Sequence, residues 1–238
     1  HRDLSAGHPG LLTVIVPRHP NRGSEIAQAL TSEGARVARR AAGDVVDDRH
    51  DIYVADTMGE LGLFFSLAPV VFMGKSLTAE GGQNLLEPAR LGCAVLHGPA
   101  MSNFEDMADR MGAAGAAVAV ADGAMLSTQV GRLLADSAAA SALAAKAEAF
   151  ASAESGVIDR LMDELSKLPA ITAYPSDSNF ILFQASRDGE KVFNNLKANG
   201  TLLRNLGSHP RLKNFLRVTI GTKQENDQFL KQLRKAAS

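Results

Sequence analysis

The chain has 238 residues, and its 25 Lys and Arg against 26 Asp and Glu give a formal net charge of −1. This balance excludes a generic basic nucleic-acid binder, and we expect no nucleic-acid partner. Apolar residues make up 45% and charged residues 21%, which is typical of a folded chain rather than a disordered one. The length suffices for one large domain or two modest ones.

The sequence gives no indication of secretion or of a membrane span. The single cysteine, Cys93, excludes an intramolecular disulfide framework and a cysteine-based zinc site. Residues 1–10 are polar, unlike a secretory signal. The most apolar run, 61–74, is about half the length of a membrane span and contains Pro69. We therefore expect a cytoplasmic protein with no transmembrane segment.

The first two thirds of the chain alternate short apolar runs with helical patterns, which is typical of a parallel sheet built from β–α units. Residues 11–16 form a continuous β-rich run, and they predict a strand buried on both faces. Further strands are predicted at 51–56, 70–73, 94–97 and 116–121. Helices are predicted to end near 34, to begin near 58, and to span 84–91, 103–111, 125–135 and 138–168.

The last seventy residues differ in composition and in pattern. Residues 169–238 carry 11 Lys and Arg against 5 Asp and Glu, so this stretch is positive and the remainder negative. Strands are predicted at 171–174, 179–184, 202–204 and 215–220, with helices at 189–199 and 223–237. We expect an α/β fold with two domains, a Rossmann-like parallel sheet at 1–160 and a small α+β domain at 161–238.

The segment GGQNLLEP at 81–88 is the most informative stretch of the first domain. Paired glycines before a helix let the backbone approach a ligand closely, and free amides at the helix start favour an anion. Asn84 would cap this helix, and the Glu87 carboxylate would accept hydrogen bonds from ribose hydroxyls. An ordinary strand-to-helix turn, with Glu87 complementing the helix dipole, explains the same residues.

Two further segments lie where a parallel sheet binds its ligands, at the carboxyl ends of predicted strands. The segment DTMGEL at 56–61 places a glycine at a second helix entry. The segment PRHP at 17–20 places Arg18 at the end of the first strand, where a guanidinium would bind phosphate or carboxylate as a fork. A solvated loop arginine is the alternative.

Four ordered blocks, PRHP at 17–20, DTMGEL at 56–61, GGQNLLEPA at 81–89 and HGPAMSNF at 97–104, resemble the C-terminal domain of the Kdo transferases. These membrane-associated glycosyltransferases add 3-deoxy-D-manno-octulosonic acid (Kdo) to lipid A precursors. The resemblance covers about 11–165. It implies the nucleotide half of a two-domain GT-B fold, which binds the donor CMP-Kdo.

The resemblance also implies roles for individual residues. Arg18 would lie near acid groups of the donor; Met58, Gly59 and Glu60 would contact the nucleotide; Gly81, Gly82 and Asn84 would lie at the phosphate, and Glu87 at the ribose. The chain departs from the family at Gln83, where histidine is frequent, and at Lys75, where glycine is frequent. The acceptor-side half, which carries the catalytic base in the family, has no counterpart here, so we expect no catalytic residue.

A second set of blocks, YPSDSNFIL at 174–182, LRN at 203–205 and LRVTIGT at 216–222, resembles the C-terminal small domain of histidinol-phosphate aminotransferase. This resemblance covers about 165–238. It implies that Arg217 clamps a substrate carboxylate through a planar bidentate donor, with Asn179 as a nearby polar contact. A strand arginine that faces solvent is the alternative for Arg217.

The second resemblance belongs to a family that uses pyridoxal phosphate, but the large domain holding that cofactor has no match in the sequence. We therefore expect no bound cofactor and no transamination. No metal is expected either, because the histidines do not stand at ligand spacing. His19, His97 and His209 each adjoin proline or glycine in a predicted turn.

Taken together, the patterns indicate a chimera of two transferase fragments, and three functions remain open. The chain binds CMP or a CMP-sugar without transfer, or it transfers Kdo with a partner chain, or it is a structural chimera without a ligand. We also expect self-association through an uncovered apolar face of the second domain.

Overall fold

The computed structural model describes residues 1–78, 81–176, 180–186 and 188–236. The chain divides into two compact units, residues 1–150 and 151–238. The first unit contains helices α1 (Arg2–Ser5), α2 (Gly23–Ser32), α3 (Leu61–Leu67), α4 (Leu86–Arg90), α5 (Glu105–Ala113) and α6 (Gly123–Ala135). Helix α7 (Ser137–Ser166) contains the boundary and runs unbroken across it.

The first unit has two parallel sheets of three strands each. One contains β1 (Thr13–Ile15), β2 (Val37–Arg39) and β3 (Ile52–Val54) in the order β1-β3-β2. The other contains β4 (Val70–Met73), β5 (Ala94–His97) and β6 (Val118–Ala119) in the order β4-β5-β6. All pairings are parallel, so the Rossmann-like α/β architecture predicted from the alternating pattern is confirmed.

The central strand of each sheet is its most buried one. Every residue of β3 and of β5 is buried, because each strand is paired on both sides. Beside β5, Leu96 packs with Leu133 of α6 in a core that also holds Val120. Helix α6 begins where Asp122 accepts a hydrogen bond from the Met125 amide at 2.8 Å, an N-cap that fixes the helix start.

The prediction that residues 11–16 form a strand buried on both faces is wrong. β1 is an edge strand of its sheet, and its alternate side chains Leu12, Val14 and Val16 are 36–37% exposed. The central place belongs to β3. The sequence did not predict β2 at all, because Ala38 is the one buried residue of that short strand and leaves no apolar pattern.

The second unit is built on one antiparallel sheet. It contains β7 (Ile171–Tyr174), β8 (Phe180–Ala185), β9 (Arg204–Asn205) and β10 (Phe215–Thr219), in the order β7-β8-β10-β9. Helices α8 (Gly189–Ala198) and α9 (Lys223–Ala236) complete it. The predicted small α+β arrangement is therefore confirmed.

One face of this second sheet forms the core of the unit. Side chains alternate along β8, so that Ile181 and Phe183 are fully buried against the helices. Leu161 and Leu165 of α7, one helical turn apart, lie in the same core. Across the sheet, the opposite face is partly exposed; there Tyr174 stacks on Phe215 with ring centroids 5.4 Å apart.

Candidate functional site

The glycine pair of the first unit lies beyond the carboxyl end of β4, in a tight and buried turn. Gly81 has φ +110° and Gly82 has φ +61°, and both are buried. A β-carbon on Gly81 would lie 2.5 Å from the Nδ2 atom of Asn103, and one on Gly82 would overlap the Met101 sulfur. Both the backbone conformation and the space therefore require glycine here.

The backbone around this turn is anchored by a buried serine. Ser76 is fully buried, its hydroxyl donates to the Met73 carbonyl, and it accepts a hydrogen bond from the Gly98 amide at 2.8 Å. The Ser76 carbonyl accepts from the Ala100 amide at 2.8 Å. Ser76 thus ties the end of β4 to the end of β5 and to the segment beyond it.

The turn is then closed onto its neighbours by two backbone hydrogen bonds. The Gly82 amide donates to the Lys75 carbonyl at 3.2 Å, and the Asn103 amide donates to the Gly81 carbonyl at 3.2 Å. Lys75 and Asn103 therefore border the glycine pair on two sides. The sequence analysis assigned neither residue to the site, although Asn103 lies in the HGPAMSNF block and Lys75 is one of the departures from the family.

Asn84 does not cap α4 as predicted, because the N-cap is Leu85 and Asn84 precedes it, while Glu87 is exposed. The Oδ1 atom of Asn84 accepts a hydrogen bond from the Leu86 amide at 3.1 Å. Glu87 stands in the first turn of α4 and makes no hydrogen bond or ion pair within the described residues. Because α4 has only five residues, its dipole is small, and an anion would depend more on the loop amides and side chains.

The aspartate of the DTMGEL block is a structural residue. The Asp56 carboxylate is buried, pairs with Arg39, and accepts a hydrogen bond from the Ala41 amide at 2.9 Å. Burial raises the pKa of Asp56, but the hydrogen bonds from Ala41 and Arg39 outweigh it and hold the pKa below its ordinary value. Asp56 thereby joins β3 to the end of β2.

Glu60, in the same block, is held by side-chain contacts with Arg40 and Thr57. Its carboxylate pairs with Arg40 and accepts a hydrogen bond from the Thr57 hydroxyl, and these contacts lower its pKa to about 2. The helix predicted to begin near residue 58 begins at Leu61 as α3, with Glu60 as its N-cap. In the resulting turn, Gly59 has φ +85° and Met58 is 80% exposed.

The structure thus brings together some of the predicted residues and leaves others apart. Gly81, Gly82 and Asn84 lie in one turn. Arg18 is exposed after β1 and makes no hydrogen bond or ion pair in the described part of the chain. Within those residues, no hydrogen bond or ion pair joins Arg18 or the 58–60 turn to the glycine pair.

In the second unit, Arg217 faces the partly exposed side of the sheet. Its guanidinium carbon lies 4.8 Å from the ring centroid of Phe180, and its Nε atom is buried without a hydrogen-bond partner. Arg204 is directly opposite on β9, so two positive side chains share one face. The predicted partner Asn179 lies outside the described residues.

Several other reactive groups have ordinary structural environments. Among the described residues, no three His, Cys, Asp or Glu side chains are grouped to hold a metal ion. Burial raises the pKa of the Cys93 thiol to about 11, which makes it unreactive. In the same part of the chain, no helix is both long and apolar enough to cross a bilayer.

The fold and these sites define a Rossmann-like α/β unit of the GT-B type, followed by a small antiparallel α+β unit. Sequence comparison finds the 3-deoxy-D-manno-octulosonic acid transferase of Bordetella pertussis, 37% identical over 161 residues, which are 67% of this chain and 38% of that protein. The probable mitochondrial enzyme of the same name from Arabidopsis thaliana is 40% identical over 113 residues, 47% of this chain and 25% of that protein.

A solved structure and a family model extend these similarities. The C-terminal CMP-Kdo binding domain of WaaA from Acinetobacter baumannii superposes with a TM-score of 0.56 at 32% identity, covering 60% of this chain and 75% of that one. The model of aminotransferase class I and II matches residues 87–233. The chain therefore belongs to the Kdo transferase family through its first part and to the class I and II aminotransferases through residues 87–233.

Proposed function

We propose that the first domain binds CMP or a CMP-sugar such as CMP-Kdo. The observation that carries this proposal is the buried Gly81-Gly82 turn at the carboxyl end of β4, where parallel sheets bind ligands. Both glycines are required there by conformation and by space, which an ordinary strand-to-helix connection does not need. The named binding domain from Acinetobacter, at 32% identity, supports the choice of a cytidine nucleotide.

In this proposal the phosphate lies over Gly81 and Gly82, with Asn84 at its edge. Glu87 accepts hydrogen bonds from the ribose hydroxyls, since its carboxylate is exposed and has no protein partner in the described residues. Arg18 is free to pair with an acid group of the sugar.

The 58–60 turn offers Met58 and the Gly59 backbone to the nucleotide. Glu60 contributes differently from Glu87, because its carboxylate is already engaged by Arg40 and Thr57. We therefore infer that Glu60 stabilises this turn and that its remaining lone pairs accept hydrogen bonds from the nucleotide.

The proposal assigns donor binding to this chain and not the complete transfer reaction. The chain spans 38% of the Bordetella transferase and 25% of the Arabidopsis one. Matches to two unrelated families support our proposal that a 1–160 nucleotide domain and a 161–238 aminotransferase-type domain form a chimera. Kdo transfer to a lipid A precursor by the isolated chain would contradict the limited role.

The first test is calorimetric titration of CMP into the wild type and the Glu87→Ala variant. We expect binding that weakens in the variant, because a ribose contact is lost. Glu105→Ala is the matched control, since Glu105 is also an exposed glutamate in the first turn of a helix but belongs to α5. No heat from the wild type at millimolar CMP would contradict the proposal.

A second candidate function is anion binding at the arginine face of the second unit. Two observations favour it: the Nε atom of Arg217 is buried without a hydrogen-bond partner, and Arg204 lies directly opposite. A bound anion would accept a hydrogen bond from this Nε atom and would reduce the repulsion between the two positive charges. We expect phosphate to raise the melting temperature of the wild type by more than it raises that of Arg217→Met. Equal effects on both proteins would contradict this function.

The aminotransferase family uses pyridoxal phosphate, but the residues present do not fit that group. A Schiff-base lysine is normally desolvated in a pocket. In the described part of 87–233, every lysine is exposed. We therefore assign no reaction step to this cofactor.

A further inference from the structure

Lys75 holds a backbone conformation that a lysine rarely adopts. Its φ is +61°, and Asn214 is the other non-glycine residue with positive φ in the described chain. The left-handed region crowds the β-carbon of an L-residue, whereas glycine enters it freely. The surrounding contacts fix this conformation, because the Lys75 carbonyl accepts from the Gly82 amide and the next residue is the buried Ser76.

The side chain of Lys75 turns back over the glycine pair. Its Nζ atom lies 3.4 Å from the position that a β-carbon on Gly81 would occupy, and the Nδ2 atom of Asn103 lies 2.5 Å from the same position. Two hydrogen-bond donors therefore lie side by side next to Gly81. Neither side chain has a hydrogen-bond or ion-pair partner in the described residues, and both are exposed, so both donors are available to an acceptor.

We propose that Lys75 and Asn103 bind the phosphate of the nucleotide over Gly81. This inference rests on the proposed function and names the group that the first domain recognises there. A lysine ammonium suits phosphate as a compact positive charge, and Lys75 and Asn103 are both exposed, so a phosphate can reach both donors. Backbone strain retained at a binding loop is typical of a functional position. The strain at Lys75 therefore places the ammonium at the ligand.

The test compares CMP with cytidine, which lacks the phosphate. We expect Lys75→Met to weaken CMP about tenfold and to leave cytidine unchanged, because a charged hydrogen bond is lost. Lys75→Arg keeps the charge and retains most of the CMP affinity. Glu87→Ala, at the ribose, weakens both ligands equally. An unchanged ratio of CMP to cytidine affinity in Lys75→Met overturns the inference.

The Lys75→Gly variant separates binding from folding. Glycine removes the strain, so we expect the melting temperature without ligand to rise by about 2 °C. CMP affinity should nevertheless fall as in Lys75→Met. Full CMP affinity in Lys75→Gly overturns the inference, whereas lost affinity in this more stable protein supports it.

The inference and the proposed function fail separately. If the wild type binds neither CMP nor cytidine, the proposed function fails, and inorganic phosphate becomes the probe. If phosphate binds the wild type and this binding is lost in Lys75→Met and in Asn103→Ala, the result supports the anion site at these two residues. Absent binding, or equal binding in all three proteins, overturns it.

Discussion

The carboxylate of Asp56 lies against the backbone of Gly23, with no room for a β-carbon between them. Gly23 begins α2, and Asp56 is the first residue of the DTMGEL block, two residues after β3 ends. This approach lets the buried carboxylate reach Arg39 and the Ala41 amide. The start of α2, the end of β2 and the end of β3 are therefore held at one point.

Gly23→Ala should destabilise the first unit by about 2 kcal/mol or more, because the added methyl displaces a buried carboxylate from its partners. Urea denaturation measures the free energy of unfolding. Gly123→Ala is the control, since Gly123 also begins a helix but has no atom within 4 Å of the added carbon. Equal stability of Gly23→Ala and the wild type would show that the contact is absent in solution.

Gly82→Ala should reduce both stability and CMP binding. The new β-carbon would overlap Met101 and would stand on a residue with φ +61°. We expect a loss of about 2 kcal/mol in the free energy of unfolding and at least a several-fold loss in CMP affinity. Gly74→Ala, with open space around it and no positive φ, should behave as wild type. Unimpaired CMP binding by Gly82→Ala would remove the glycine turn from the site.

How much of this arrangement was predictable depends on the range of the interactions. The strands 70–73 and 94–97 were predicted with the bounds observed, because continuous apolar runs determine them locally. The turn at Gly81 was predictable for the same reason, since paired glycines are a local signal. Neither the left-handed conformation of Lys75 nor the approach of Asn103 is local. Both depend on tertiary contacts with Gly81 and Gly82.

The misplacement of β1 has the same physical origin. Its apolar run predicts burial, but an edge or central place depends on which strands pair beside it, and β3 holds the centre. The start of α3 also differs from the prediction, because the turn before it depends on side-chain contacts of Thr57. Its hydroxyl bonds to Glu60, whose carboxylate is also paired with Arg40.

The stability of the first unit should fall in acid through Glu60. Its pKa is lowered from 4.5 to about 2, first by Arg40 and then by Thr57. A lowered pKa stabilises the folded state above pH 4.5, and that contribution is lost as the pH falls from 4.5 toward 2. When the pH is lowered from 4.5 to 2, the melting temperature of Glu60→Gln should therefore decrease less than that of the wild type. Parallel curves for the two proteins would contradict the pairing.

Self-association should depend on the partly exposed face of the second sheet. Leu182 is at its centre, directly opposite both Tyr174 and Arg217 in the neighbouring strands. We expect a dimer or larger species at micromolar concentration by light scattering, because burying this face removes apolar surface from water.

Leu182→Thr introduces a β-branched residue that suits a strand but is less apolar, and it should shift the protein toward the monomer. Leu202→Thr is the control, since Leu202 is 78% exposed but lies outside the strands. It should leave the mass unchanged. A monomeric wild type would refute self-association, and a mass that responds to Leu202 and not to Leu182 would place the contact on another surface. A shift in Leu182→Thr alone assigns the interface to the open side of β8.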